Sequence, residues 1–158
     1  MVMSRTIRKN RYNKKTYDQI PVRVKKGEKE AITACAQYHG MSTNAFIIKA
    51  VEKYRKNLHL KMLADLKKIV APVARRHGVE AVYLFGSRAR GDYHGQSDFD
   101  FYIKKGRLRG YFALGGFYED LKEAVNSEID VVSLEEENLD TYIKDAIRKD
   151  GVLLYENA

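Results

Sequence analysis

Two aspartates in one short stretch are spaced to bind a metal ion together. Asp98 and Asp100 alternate with Phe99, Phe101 and Ile103, which is the period of a half-buried strand. Both carboxylates therefore project from one face, with Cα atoms roughly 7 Å apart. Carboxylates this close repel each other unless a cation lies between them. Magnesium suits the pair, because it takes one or two carboxylates and completes its shell with water and phosphate oxygens.

A turn that could hold phosphate precedes this pair, with ten residues between Ser87 and Asp98. The continuous apolar run Ala81–Phe85 predicts a buried strand that ends at Gly86. Ser87 lies where a short helix can begin, and the first N–H groups of a helix lack internal partners and attract anions. Glycine lets the backbone approach a phosphate closely. The sequence therefore predicts an anion site at this turn.

A third acid can join the pair. In Glu128–Val132 the apolar Ile129 and Val131 fall on one face and Asp130 on the other. If this strand lies beside the first, Asp130 completes a three-carboxylate cluster, in which one acid helps to activate an attacking hydroxyl. A lone pair of aspartates on a strand is more often a solvated face. The combination with the glycine-serine turn favours a site for metal and phosphate.

The segment Gly86–Ile103, GSRARGDYHGQSDFDFYI, resembles the signature of the nucleotidyltransferase superfamily that includes DNA polymerase beta. In full it resembles the minimal nucleotidyltransferase branch, over about Leu60–Glu156. The resemblance implies a small mixed sheet flanked by helices and AMP transfer from ATP. It implies catalysis and magnesium binding by three acids: Asp98, Asp100 and Asp130. It implies nucleotide contacts for Gly86, Ser87, Arg88 and Arg90, although the two arginines are equally compatible with solvated side chains.

Positive charge is concentrated in the first part of the chain. The 158 residues carry a net charge of +8, but residues 1–61 hold 15 Lys/Arg against 4 Asp/Glu, and residues 62–158 hold 14 against 17. This asymmetry predicts two modules, of which the basic one binds a polyanion. Residues 1–17 contain six Lys/Arg and no Asp/Glu before Asp18, and they predict a disordered basic arm.

The next segment predicts a strand followed by two helices. Gln19–Lys25 alternates like a strand, Gly27 to His39 reads as a helix that Gly40 ends, and Ser42 is a good cap for a second helix. This pattern resembles the ribbon-helix-helix family of the Arc and MetJ type, over about Tyr17–Asn57. In that family a homodimer places a two-stranded ribbon in the DNA major groove. The resemblance implies DNA contacts for five residues: Gln19, Arg23, Lys25, Ser42 and Thr43. Pro21 departs from the pattern, since it has no polar tip with which to read a base.

The predicted fold class is α+β. Residues 1–17 form the arm, residues 18–58 the dimerising ribbon-helix-helix module, and residues 60–158 the nucleotidyltransferase domain with its mixed sheet and flanking helices. We expect a helix break near residues 57–59, a kink or fresh start at Pro72, and a covering helix from Leu139 capped by Asn138.

Composition also predicts the surroundings of the protein. The single cysteine, Cys35, excludes an intrachain disulfide, and its place on an apolar stripe predicts a buried thiol. No apolar run approaches the ~18 residues that a membrane span needs. We therefore expect a cytoplasmic protein that does not associate with membranes.

The acceptor of AMP is the least determined part of the prediction. The catalytic module is small, which favours a separate protein as acceptor. Minimal nucleotidyltransferases of this kind resemble antitoxins that adenylylate a tyrosine of a HEPN-type ribonuclease toxin, and a DNA-binding module fits an antitoxin that represses its own promoter. Two alternatives stay open: a transferase for a small molecule such as an aminoglycoside, and a DNA-binding repressor whose second module senses nucleotide.

Overall fold

The computed structural model of the chain describes residues 12–133 and 138–157. Besides a short helical segment at residues 12–16, its helices are α1 (Glu28–Tyr38), α2 (Thr43–His77), α3 (Gly86–Arg90), α4 (Gly110–Val125) and α5 (Thr141–Asp150). Its strands are β1 (Ala81–Phe85), β2 (Phe99–Lys104), β3 (Ile129–Val132) and β4 (Val152–Glu156). The chain divides into two compact units, Met1–Lys49 and Ala50–Ala158. No helix in the described ranges combines the length and the apolar character that a membrane crossing needs.

The first unit contains the two predicted helix starts but not the predicted strand. Ser42 Oγ accepts a hydrogen bond from the Ala45 N–H at 3.2 Å, so it caps α2 as expected. The strand predicted over Gln19–Lys25 is absent, and Ile20 in it is 85% exposed. A lone strand leaves its backbone groups to water, because its ladder needs a neighbouring strand and the single chain supplies none here.

Two smaller expectations for this unit are corrected. The end of the predicted disordered arm, residues 12–16, is helical, whereas residues 1–11 lie outside the described part of the chain. Cys35 is exposed and not buried, because the buried position of α1 is its neighbour Ala36. The apolar stripe of this helix is therefore rotated relative to the prediction.

The helix α2 is one continuous element of 35 residues. The break expected near residues 57–59 does not occur, since no glycine or proline interrupts residues 43–71. Pro72 lies inside the helix and does not end it. The final turns bury Leu66, Val70 and Val73, at the spacing of a helix that packs one face against a core.

The second unit is built on a four-stranded mixed sheet in the order β3-β2-β1-β4. Strand β1 pairs antiparallel with β2 and with β4, and β2 pairs parallel with β3. Two registers matter for the site: Phe85 lies opposite Asp100, and Asp100 lies opposite Asp130. The predicted mixed sheet flanked by helices is thus confirmed.

Both faces of the sheet are covered. On one face Phe101, Ile103 and Leu84 pack with residues of α2 and α4 into the larger core. On the other, Phe85 and Tyr102 pack with Leu139 and the apolar side of α5 into a smaller cluster. Because strand side chains alternate, Asp100 shares the face of Tyr102. The acid therefore lies at the rim of the smaller cluster.

The helix α5 begins later than predicted. Its cap is Asp140, whose carboxylate accepts a hydrogen bond from the Tyr142 N–H at 2.8 Å, and not Asn138. Leu139 precedes the helix and is buried. Asp140 is the cap because it directly precedes the first helical residue, Thr141, and its side chain reaches the N–H of the second.

Candidate active site

Gly86 joins β1 to α3 in a conformation that requires glycine. Its φ is +71°, in the left-handed region that side chains disfavour. A Cβ atom built at this position would overlap the Oδ2 atom of Asp100. The carboxylate of Asp100 therefore lies directly against the turn, and the predicted strand–glycine–helix arrangement is present as expected.

Three carboxylates lie around the start of β2. Asp100 and Asp130 are register partners on adjacent parallel strands, which are about 4.8 Å apart. Asp98 lies two residues before Asp100, just outside the strand. The sheet thus brings Asp130 beside the pair, although it is 30 residues further along the chain.

The electrostatics of Asp100 show that the three acids act on one another. Burial, then the negative charge of Asp130 and that of Asp98, raise the pKa of Asp100, and the positive charge of Arg90 opposes them. Asp100 is half-buried, whereas Asp98 and Asp130 are exposed. A cation placed among these oxygens would relieve the repulsion.

The donor set fits magnesium, which prefers carboxylate oxygens together with water and phosphate. Asp98, Asp100 and Asp130 are the residues that would hold it. Among residues 12–133 and 138–157, no three acidic, histidine or cysteine side chains converge closely enough to hold a metal ion in their present rotamers. The exposed side chains of Asp98 and Asp130 are free of packing that would prevent them from turning toward Asp100.

We expect Asp100→Asn to raise the unfolding midpoint of the metal-free protein by a few degrees at neutral pH. The pKa of Asp100 is higher in the folded chain than in the unfolded one, so the ionised form destabilises the fold. The advantage of the variant should shrink as the pH falls through this raised pKa, because the wild-type carboxyl is then protonated too. Thermal unfolding in EDTA at several pH values measures this.

The matched control is Asp145→Asn, which removes an exposed carboxylate of α5. It should leave the midpoint unchanged. A midpoint that falls in Asp100→Asn at neutral pH would mean that the charge of Asp100 is stabilised, and not repelled, by its surroundings.

Arg88 has partners that sequence reasoning did not anticipate. Its Nε and Nη2 atoms both donate to the carbonyl of Ser97, at 3.0 and 2.7 Å. Its guanidinium lies 4.4 Å from the ring centres of both Tyr93 and Phe99. Arg88 therefore ties the loop that leads to Asp98 to the helix that follows Gly86. This placement gives it a positioning role beside the nucleotide contact that the sequence suggested.

Arg90 is held by acids on two sides. Its Nε donates to Asp92 at 3.1 Å, and its Nη1 donates to Asp150 at the end of α5 at 3.5 Å. The hydrogen bond to Asp92 contributes most to a raised pKa of Arg90. Its positive charge also acts on Asp100, so it lies within electrostatic reach of the acids.

His59 is a supporting residue that the sequence did not reveal. Its Nε2 lies 3.1 Å from the carbonyl of Ala89 in α3, and its ring lies against Gly91. Its Nδ1 atom is buried and has no hydrogen-bond partner among the described residues. No sequence signal could have found this contact, since its partner is 30 residues away.

The residues predicted to contact DNA lie in the first unit, where Gln19, Arg23 and Lys25 are exposed. Ser42 uses its hydroxyl as the α2 cap, and the Thr43 hydroxyl donates to that of Thr33 at 3.2 Å. The first three side chains are therefore available to a ligand, whereas the two hydroxyls already have intrachain partners.

Residues 67–158, more than half of the chain, match the family model described as Polymerase beta, Nucleotidyltransferase. The chain is 27% identical, over 88 residues, to a protein of Methanocaldococcus jannaschii described as a candidate protein adenylyltransferase. This match covers 56% of the chain and 92% of that relative.

Two solved structures are also similar. One, described as a candidate minimal nucleotidyltransferase, is 25% identical with a TM-score of 0.49, covering 59% of this chain and 93% of its own. The other is a tri-AMPylated HEPN toxin of Shewanella oneidensis in complex with an MNT antitoxin. It is 18% identical with a TM-score of 0.45, covering 60% of this chain and 73% of the matched one. Since both TM-scores are below 0.5, the assignment depends on the family match.

Proposed function

Because the chain belongs to the polymerase beta nucleotidyltransferase family, we propose that it transfers AMP from ATP to a hydroxyl group of another protein, with magnesium bound by Asp98, Asp100 and Asp130. The observation that carries this proposal is the register of β2 and β3, which places Asp130 beside Asp100. The carboxylate of Asp100 itself lies against the Gly86 turn. The mutual repulsion of the acids supports a cation at this position.

Different residues of the chain bind the phosphates and accept the proton in this reaction. The backbone of Gly86 and Ser87 holds the triphosphate. Because Gly86 has no side chain, the carboxylate of Asp100 can lie close to this backbone and so to the phosphates. A bound magnesium ion would neutralise charge on the phosphates. The acceptor oxygen forms its bond to the α-phosphorus, the bond to pyrophosphate breaks, and the hydroxyl proton passes to the exposed carboxylate of Asp130.

A protein acceptor is supported by the name of the archaeal relative, of which the matched segment covers 92%. A domain of this size is therefore nearly all of that relative. The resemblance to minimal nucleotidyltransferases further suggests the acceptor, a tyrosine of a HEPN-type ribonuclease toxin. The chain would then be the antitoxin that silences this toxin by adenylylation.

The test is incubation of the full chain with α-labelled ATP, magnesium and the purified product of the neighbouring gene. We expect label on that protein, and no label when EDTA replaces magnesium. Label on an added aminoglycoside instead of a protein would replace the proposal with small-molecule transfer. Binding of ATP without transfer to any acceptor would favour a nucleotide-sensing repressor.

We further propose that the first unit is a ribbon-helix-helix module that binds DNA as a homodimer. Two observations support it: the helix pair α1 and α2, and the exposed apolar residues Ile20, Val22 and Val24 in the segment that precedes it. The strand of a second copy would give this segment the ladder partner that a single chain lacks. Residues 1–61 supply the positive charge for phosphate contacts.

Arg23→Ala should weaken specific DNA binding by about 1–3 kcal/mol, because Arg23 is exposed on this segment and arginine pairs bidentately with guanine. Gel-shift titration with the chain's own promoter DNA measures the loss. Lys68→Ala, on the exposed surface of the second unit, is the control and should bind normally. An unchanged affinity for Arg23→Ala would remove this residue from the DNA contacts.

A further inference from the structure

Two aromatic side chains at the start of α4 are almost entirely in solvent. Tyr111 is 93% exposed and Phe112 is 98% exposed. The opposite side of the same helix is packed, since Phe117 and Leu121 are fully buried in the larger core. Core packing therefore accounts for the apolar residues on one side of α4 but not for the aromatic residues on the other side. Adjacent exposed aromatic side chains are typical of binding surfaces.

Two arginines precede this pair on a loop that is held in place by the rest of the fold. Arg107 and Arg109 are exposed, and within the described residues neither has an ion-pair partner. The loop between them is fixed, because the Arg107 N–H donates to the carbonyl of Gly78 at 2.9 Å and Leu108 is buried. The positive charges are thus presented on a rigid support and are available to an acidic ligand.

A glycine continues the same helix face. Gly115 follows Tyr111 by four residues and Phe112 by three, so the three lie side by side. A Cβ atom at Gly115 would meet nothing within 4 Å, so the folded chain itself has no need of glycine there. Glycine in a helix interior is unfavourable relative to alanine. A closely approaching second chain would explain its presence.

We infer that Arg107, Arg109, Tyr111, Phe112 and Gly115 form a docking surface for an acidic helical segment of the acceptor protein. The inference rests on the proposed function, in which the acceptor is a protein. Aromatic residues and arginine are the side chains that contribute most to protein interfaces. Because Gly115 has no side chain, a second helix can lie across α4 with its backbone close to that of α4.

The charge around the docking surface favours a protein over a nucleic acid. The exposed residues Glu119 and Glu123 follow on the same helix, and residues 62–158 carry more acids than bases. A polynucleotide needs a continuous positive groove for its phosphates, whereas the positive charges of Arg76, beside this helix, and of Lys122, on it, are paired with Asp120 and Glu128. Two arginines instead match a short acidic segment of a protein.

The docking surface is separate from the site of chemistry. Asp100 lies near the start of β2, whereas the loop with the arginines follows Lys104 at its end, about 13 Å along the strand. Contacts here contribute equally to the binding of the acceptor and to the transition state. Their loss should therefore raise the KM for the acceptor and leave kcat unchanged.

The experiment uses the full chain, the purified product of the neighbouring gene, and two readouts: the Kd of the complex and the rate of AMP transfer. We expect the double variant Tyr111→Ala, Phe112→Ala to weaken binding and raise the KM for that protein by about tenfold or more. Arg109→Glu should do the same through charge reversal. The control Tyr142→Ala removes an 80% exposed aromatic of α5 and should change neither value.

The outcomes separate this inference from the proposed function. If the wild-type chain transfers AMP and the variants bind and react like it, the docking surface is overturned while the function stands. If the wild-type chain binds the protein without transferring AMP, the proposed function fails, and the Kd values of the variants decide the docking surface. If it neither binds nor transfers, both are overturned. If the variants lose binding to a single-stranded oligonucleotide that the wild-type chain binds, and still bind the protein normally, the surface binds nucleic acid instead.

Discussion

Replacing Asp98 and Asp100 together by alanine will abolish AMP transfer while DNA binding is retained. Asp100 is the half-buried member of the acid cluster and lies against the Gly86 turn, so its carboxylate is the central ligand of the proposed magnesium site. Losing the groups that stabilise charge on the phosphates should lower kcat by about a thousandfold or more. Single-turnover transfer from α-labelled ATP measures the loss.

The control for this variant removes the same number of charges elsewhere. Asp65→Ala with Asp145→Ala changes two exposed acids, on α2 and α5, and should leave transfer within about twofold of wild type. Gel-shift assays with the same preparations report DNA binding, which we propose depends on the first unit. Transfer that survives in the Asp98, Asp100 variant would show that the metal is held elsewhere.

The second large effect is expected for Gly86→Ala. The added Cβ would overlap the carboxylate of Asp100, and alanine would have to adopt a φ of +71°. The strained backbone costs about 1–2 kcal/mol in stability, and the displaced carboxylate should lower kcat by about a hundredfold or more. Thermal unfolding and single-turnover kinetics measure the two effects separately.

Two further variants identify the cause of that loss. Gly95→Ala lies in the loop between α3 and β2, where a Cβ atom meets nothing within 4 Å, and it should behave as wild type. Adding Asp100→Ala to Gly86→Ala removes the overlapping atoms, so Asp100→Ala should stabilise the Gly86→Ala chain more than it stabilises the wild-type chain, without restoring activity. An equal gain in the two chains would show that the overlap with Asp100 is not the cause.

The acids of the site could be predicted from sequence because their signals are local. Alternation alone predicts that Asp98 and Asp100 project to the same side, although β2 itself begins at Phe99, and it places Asp130 on the face of β3 opposite Ile129 and Val131. The pairing of the two strands does not follow from the sequence, since no local pattern specifies which strands are neighbours. The structure supplies it through the parallel register of Asp100 with Asp130.

The supporting contacts could not be predicted, because they depend on how the chain closes on itself. The place of Arg88 after Ser87 predicts a phosphate ligand, but its aromatic and carbonyl partners lie across a loop whose path the sequence does not fix. His59 meets α3 through a contact 30 residues away. The segment Gln19–Lys25 illustrates a third limit: its alternation predicts a strand, but a strand needs a neighbour to form.

We propose that the site formed by Asp98, Asp100 and Asp130 transfers the AMP portion of ATP to a protein. Parallel reactions with α-labelled and γ-labelled ATP, magnesium and the product of the neighbouring gene test it most directly. We predict that the α label appears on the acceptor protein, that the γ label leaves as pyrophosphate, and that both signals vanish in the Asp98→Ala, Asp100→Ala variant. Label on the acceptor from γ-labelled ATP would show phosphoryl transfer instead of AMP transfer, and α label that persists in the variant would show that these acids do not carry the reaction.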